Sequence, residues 1–235
     1  MVEAMCGRFA SSETTDRLVE LFGIDEVPDE LPGPRFNIAP TDPVATVLSR
    51  PREGELRRLL VPARWGLVPS WSKDPSGAAR MINARVETVA EKPAFRKAFA
   101  SRRCLLPADG YYEWYQQAAD RKPAKQPYFI HPGDGGVMAM AGLYEFWKAP
   151  DASWLTSVTI ITTAARDAVG RLHDRMPMVV EPADWDAWLD PGLDLDPHGL
   201  LSVPAERLDF HPVSTAVNKV GNDGPALVEP LAGTE

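Results

Sequence analysis

Few side chains in this sequence could serve as a nucleophile or shuttle a proton near neutral pH. There are two cysteines, Cys6 and Cys104, and four histidines, His131, His173, His198 and His211. The cysteines lie far apart and form no CxxC pair, so neither a structural disulfide nor a metal site is expected. Any cysteine chemistry belongs to a lone thiol. There is no GxxxxGK[ST] phosphate loop, no GxSxG elbow, no HExxH helix and no glycine-rich dinucleotide fingerprint, and no cofactor is expected. What the chain offers instead is a set of short polar phrases. They are Met5-Cys-Gly-Arg-Phe9, Arg35-Phe-Asn-Ile-Ala-Pro-Thr41, Trp65-Gly-Leu-Val-Pro-Ser-Trp71, Ile82-Asn-Ala-Arg-Val-Glu-Thr88, Ala108-Asp-Gly-Tyr-Tyr-Glu-Trp114 and Leu172-His-Asp-Arg-Met-Pro177. Taken singly, each has a bland reading. A lone Cys6 is more often a small buried apolar side chain than a nucleophile. Asn83 suits a turn, Glu113 a strand face in water, and His173 a surface position beside Asp174. Trp71, like Trp65, is individually more often core than platform.

The elements that carry these phrases follow from the apolar spacing. Ser11-Ser12 precede a helical pattern over Glu13–Phe22, ended by Gly23. A proline-rich loop follows, and Val44–Leu48 and Leu59–Val68 read as strands broken by Pro62 and Pro69. Pro93–Ala100 predicts a short basic helix with proline in its first turn. Strand-like runs then succeed one another at Cys104–Leu106, Tyr111–Tyr115, Tyr128–His131, Val137–Phe146 and Val158–Thr163. Asp167–Leu172 predicts a short helix, Met178–Val180 a strand and Pro182–Leu189 a helix. Helices and strands mix without βα alternation, which predicts an α+β fold with a largely antiparallel sheet.

The 235 residues, 44% of them apolar, suffice for one domain with a sizeable core. No run approaches the ~18 apolar residues of a membrane span, and the first residues lack the regions of a signal peptide. A cytoplasmic protein with no membrane partner is expected. The net charge of −8 argues against a general nucleic-acid coat. It is unevenly spread. Arg80 to Arg103 holds seven basic residues against two acidic, whereas Glu181 to Phe210 holds eight acidic against one basic. Two solvated faces of opposite sign would account for that; so would a basic groove on an acidic body.

In combination and order, the six phrases resemble the SRAP family, the SOS response-associated peptidase fold, whose members are abasic-site processing proteins. The resemblance runs from Cys6 to about Ser214. It implies a single SRAP-like domain over 5–220 with a barrel-like sheet flanked by short helices. Residues 1–4 are then an extension that is misassigned or removed, and 221–235 an acidic, flexible tail. It also implies a monomer that acts on abasic sites in single-stranded DNA and sits on the nucleoid when bound. The family's cysteine directly follows the initiator methionine, and the matching residue is Cys6 after Met5. Asn83, Glu113 and His173 are implied to line the active site. Arg8, Asn37, Pro40, Trp71, Arg85, Thr162 and Arg175 are implied to hold the DNA strand.

The implied chemistry is sound. An abasic deoxyribose opens to an aldehyde. An α-amino group titrates about two pH units or more below a lysine, so far more of it is neutral near pH 7 and able to form a Schiff base. The thiol of the same residue can then close on the imine carbon to give a thiazolidine, an intramolecular step of high effective concentration. In this scheme Glu113 moves protons at the amine and aldehyde. His173, of the residue type that titrates nearest neutrality, protonates the sugar ring oxygen and assists reversal. Asn83 positions the sugar or amine. Arg85 and Arg175 clamp phosphates, and Trp71 stacks on a base. Two departures from the family stand out. Met1-Val-Glu-Ala precede Met5, so a free amine on Cys6 requires initiation at Met5 and its removal, or self-proteolysis. Ser72 also stands where some relatives carry a second tryptophan. Two alternatives stand beside it: a thiol peptidase that uses the same residues, with Cys6 and His173, and a non-catalytic reader of modified or single-stranded DNA that uses the basic stretch and Trp71.

Overall fold

Alternation of inward apolar and outward side chains runs through most of the chain, and strands follow from it. The computed structural model describes residues 7–115, 125–165, 169–196 and 207–232. In chain order its strands are β1 Phe9–Ser11, β2 Arg35–Ile38, β3 Pro43–Arg52, β4 Glu55–Trp65, β5 Asn83–Arg85 and β6 Arg103–Ala108. They continue with β7 Gly110–Tyr115, β8 Gln126–Pro132, β9 Met138–Lys148, β10 Trp154–Ala164, β11 Arg175–Pro177 and β12 Leu208–Pro212. Three short helices accompany them: α1 Thr15–Phe22, α2 Arg96–Ser101 and α3 Trp185–Leu189.

Strands β10, β4, β3, β6 and β9 pair in that order, and β9 pairs back onto β10, closing a five-stranded barrel. Only the β4–β10 contact in this ring is parallel. Past the ring, β10 continues between β5, paired parallel at Ile160–Thr162, and β11, paired antiparallel at Thr162–Ala164. A second, antiparallel sheet has the order β12-β8-β7-β1-β2. The fold is thus α+β and largely antiparallel, with a barrel at its centre. Pro62 does not break β4 as its residue type predicts. β10 joins β4 only at Arg64 and Trp65, so at Pro62 the missing N–H faces an open edge.

One set of alternating residues fills the barrel: Val44 and Leu48, Trp65, Cys104 and Leu106, Met140 and Tyr144, Val158 and Ile160. The other set, including Val47, Leu60, Leu105, Leu143 and Ile161, faces outward beneath the helices, against Phe22, Phe99 and Trp188. Phe9, Ile38, Tyr111 and Ile130 from the second sheet join the inner core, so this sheet plugs one end of the barrel.

Helix α1 begins two residues later than the apolar pattern suggests, because the Thr14 hydroxyl caps it by accepting from Arg17 N–H, and Gly23 ends it at φ 60°. Trp185 and Trp188 are core rings: Trp185 stacks on Phe22 at 4.5 Å, and Trp188 Nε1 donates to the Cys104 carbonyl at 2.8 Å. The regular strand near residue 178 is β11, with Val179 adding only an isolated bridge to Met140. Asp167 lies outside the described residues, and Val169–Arg171 form a 3-10 turn.

The segment after Val220, which composition marks as loose, is docked as far as it is described. Asp223 accepts from Phe36 N–H at 2.7 Å and pairs with Arg35 at 2.8 Å. Leu227 is buried with Tyr112, Phe129, Val213 and Val217 on the outer face of the second sheet. Leu231 N–H reaches the Pro212 carbonyl at 3.0 Å. Charge counts miss this because a few apolar residues and local caps do the holding.

Candidate active site

The N-terminal end of the described chain is placed by sheet pairing. Phe9 lies across from Tyr111 and Ala10 across from Gly110, and Tyr112 N–H donates to the Arg8 carbonyl at 2.9 Å. Continued by two residues, this register sets Gly7 across from Glu113. Cys6 itself lies outside the described residues. Glu113 sits on the same face of β7 as the buried Tyr111, the face turned to the barrel, and is only 4% exposed. A carboxylate in such a place needs polar company, because desolvation disfavours its charged form.

Asn83 opens β5 across from Ile160, and the preceding Ile82 belongs to the barrel core, where its carbonyl accepts from Trp65 Nε1 at 3.0 Å. His173 follows Leu172, which packs on the same core, and precedes β11. Asn83 and His173 therefore each follow a residue in or packed on the plugged barrel's core, and Glu113 shares a strand face with one. His173 Nδ1 lies 3.1 Å from Arg175 N–H and 3.1 Å from Asp174 Oδ1. The first contact needs a lone pair on Nδ1 and the second a proton. The neutral ring with its hydrogen on Nε2 satisfies Arg175, and a doubly protonated ring satisfies Asp174.

The residues implied to grip a strand fall into three groups. Arg85 is exposed on β5, and its register partner Thr162 is fully buried. Arg175 is nine-tenths buried: its Nη1 and Nη2 meet the two Glu87 carboxylate oxygens at 2.5 and 3.0 Å, and Nη2 also donates to the Thr162 carbonyl at 2.7 Å. The Arg175 bond holds the Glu87 carboxyl below the usual range, with Arg85 adding to the effect.

Arg8 and Asn37 form the second group, and both engage the C-terminal segment. Arg8 Nη1 donates to Asn37 Oδ1 at 2.7 Å and to the Val217 carbonyl at 2.9 Å, and its guanidinium lies 5.7 Å from the Trp114 ring centroid. Burial pushes the Arg8 pKa down, opposed by Asp42 and Tyr112. Asn37, wholly buried, donates to the carbonyls of Val217, Lys219 and Asn222. Trp114 Nε1 adds a bond to Asn218 Oδ1 at 2.7 Å.

The third group is on loops. Trp71 is 67% exposed, unlike Trp65, which is buried completely. Its loop is tied back where Trp147 Nε1 donates to the Ser72 carbonyl at 2.7 Å. Pro40 precedes Thr41, a β-branched residue at φ 77°, held there by its N–H bond to the Trp65 carbonyl at 2.7 Å. Backbone strain of this kind costs about 1–3 kcal/mol and tends to gather at functional sites. Sequence alone offers no sign of it, and none of the C-terminal clasp.

The basic run from Arg80 to Arg103 divides in two. Arg103 is buried and donates to the carbonyls of Phe99, Ala100, Trp188, Asp190 and Leu193, and Arg102 pairs with Glu145 at 3.0 Å. Those two serve the fold. Arg80, Arg85, Lys92, Arg96 and Lys97 are exposed. Among the described residues no group of three His, Cys, Asp or Glu side chains is placed to hold a metal ion. A cavity of about 610 Å³, lined by Val137, Val180, Trp185 and Leu208, shares none of the residues above.

With this geometry in view, comparison with known proteins is decisive. The family model described as SOS response associated peptidase (SRAP) matches residues 5–220. The chain belongs to the SRAP family. It is 38% identical to the abasic site processing protein YoqW of Bacillus subtilis, over 96% of this chain and 99% of that one. It is 34% identical to the abasic site processing protein YedK of Escherichia coli, over 97% and 100% of the two chains. The abasic site processing protein HMCES of Gallus gallus is 34% identical over 84% of this SRAP chain and 66% of its own length. A solved protein from Bacteroides thetaiotaomicron has the same fold, with a TM-score of 0.82 at 22% identity over 96% and 99% of the chains. No described helix is long and apolar enough to cross a membrane.

Proposed function

We propose that this SRAP protein processes abasic sites by capturing the ring-opened aldehyde in single-stranded DNA with Cys6. The amine of a processed N-terminal Cys6 attacks the aldehyde carbon and loses water to give an imine. The thiol sulfur then adds to that carbon while the nitrogen regains a proton, closing a thiazolidine. One water leaves and no oxidant or reductant is consumed. The relatives' names support the target, and the pairing of β1 with β7 carries the reading. That pairing runs the described chain, which begins at Gly7, alongside the strand that bears Glu113.

In this scheme Glu113 relays protons at the amine and carbinolamine, a task for a buried carboxyl beside the reacting atoms. His173 supplies a proton to the sugar oxygen, and Asn83 orients the sugar or the amine. Arg85, Arg175 and Thr162 form one phosphate-binding margin and the exposed ring of Trp71 stacks on a base. Arg8 and Asn37 serve the grip through the C-terminal segment that they anchor, and Pro40 borders the strand beside the strained Thr41. The free amine requires a mature chain that starts at Cys6. Intact-mass analysis followed by denaturing gels with abasic single-stranded DNA tests this. A persistent shifted band is expected for the form that begins at Cys6 and none for a form that retains Met5. No band from a sample proven to begin at Cys6 overturns the reading.

A further inference from the structure

We infer that Glu87 is a resident anion that occupies the phosphate seat of Arg175 until a DNA backbone phosphate displaces it, and so sets how strongly the protein grips undamaged DNA. The inference deepens the function proposed above and rests on its assignment of Arg85 and Arg175 to phosphate binding. Three observations carry it.

The first is geometry. The two Glu87 oxygens lie against Nη1 and Nη2 of Arg175 at 2.5 and 3.0 Å, the paired fork by which a guanidinium also holds two phosphate oxygens. The second is the difference in exposure between the partners. The Arg175 side chain is 10% exposed and that of Glu87 45%, so the cation is fixed by the fold while the anion stands at the surface, where an incoming anion can replace it. Thr162 keeps Arg175 in place without Glu87, through its carbonyl at 2.7 Å and its hydroxyl at 3.3 Å. The third is unused capacity. Arg175 Nε is buried without a hydrogen-bond partner among the described residues. Exposed Arg85 lies two residues before Glu87, and the Glu87 carboxylate feels the charge of both arginines.

Neutral at rest, such a seat discriminates. A strand must supply a phosphate at the right register to release Arg175, and loosely placed polyanions gain nothing from a cation already paired. Structural stapling of the 3-10 turn Val86–Thr88 to β11 makes a different prediction. It requires that Glu87 remain on Arg175 when DNA binds.

The test measures binding of an undamaged single-stranded oligonucleotide by fluorescence anisotropy across a salt series, so that no covalent step enters. Glu87→Gln is expected to bind about fivefold tighter at low salt. The gain should vanish in Glu87→Gln/Arg175→Gln. Arg175→Gln alone should lower the salt slope by about 0.7, the loss of one phosphate contact. Unchanged or weaker binding by a folded Glu87→Gln overturns the inference. So does an unaltered slope in Arg175→Gln, which keeps the test decisive if Glu87→Gln does not fold. Absence of any single-strand binding by the unsubstituted protein overturns it as well. Failure to crosslink abasic DNA, with these binding results as expected, removes only the capture reading.

Discussion

Tyr112 N–H donates to the carbonyl of Arg8 at 2.9 Å, and this bond extends the alignment of the N-terminal strand on β7 one residue beyond Phe9. β7 also pairs with β8 on its other edge, and Gly110 makes that close approach possible. A Cβ at Gly110 would meet the Ile130 carbonyl at 2.4 Å and the Phe129 ring at 2.5 Å. Neither can move far, since one is backbone and the other is core. Gly110→Ala is therefore expected to cost about 2–4 kcal/mol in urea unfolding and to reduce adduct yield even in the folded fraction. A urea midpoint equal to that of the parent protein would contradict the placement of β7.

Serine in place of Cys6 separates the two nucleophiles. The amine survives, so the imine still forms, but the sulfur that closes the ring is gone. Cys6→Ser should give a band on denaturing gels only when borohydride reduces the imine first. The parent protein should give one without reductant. Equal yields from both without reduction would show that the thiol takes no part.

Cys104 supplies an internal control for that experiment. Its thiol is fully buried, and burial pushes its pKa well up, so little reactive thiolate is present. In the native protein a thiol-specific reagent should label one cysteine, Cys6, and label Cys104 only after denaturant is added. Two rapidly labelled thiols in the native state would contradict the barrel packing.

The longer strands were legible in outline from their apolar runs, and Cys104, Trp65 and Met140 face inward as a period of two demands, but closure into a barrel was implied only by the family resemblance. Short elements were not. β1, β5 and β12 are three to five residues long, and pairing with distant partners, not local pattern, makes them strands. The candidate site came from motifs rather than physics. Residue type cannot show that Glu113 is buried, that Asn37 binds three carbonyls of the C-terminal segment, or that Trp71 is exposed while Trp65 is not. Charge counting missed the role of Arg103 because a net charge does not say which charges already have partners, and composition missed the docking after Val220 because a few apolar residues and local caps do the holding.

Two arginines of the same basic run should accordingly respond differently to substitution. Arg103→Ala leaves five carbonyls without their donor, two in α2 and three at or beyond the C-terminal end of α3, and a loss of about 3 kcal/mol or more is expected. Arg85→Ala, on an exposed side chain, should change stability by less than about 0.5 kcal/mol yet lower the salt slope of single-strand binding. Thermal melts and anisotropy on the same samples distinguish these outcomes. The reverse pattern would place the nucleic-acid surface elsewhere.

Acid stability should report the Glu87–Arg175 pair. The Glu87 carboxyl is held below its ordinary value of 4.5 by the Arg175 hydrogen bonds, so the folded protein favours the ionised form more than the unfolded chain does. That contribution is fully present above the ordinary value and is lost as pH falls through the lowered one. Asp74 and Asp151 are also held low, through turns closed by Ser76 and Ser153, but both survive in Glu87→Gln and cancel in a comparison. Urea midpoints of the parent and Glu87→Gln should therefore differ by a constant amount above about pH 5.5 and converge as the pH drops toward 3. The parent has the higher midpoint on the plateau. A gap that stays constant down to pH 3 would mean that the carboxylate's charge contributes nothing, and that only the shape of the side chain matters at this position.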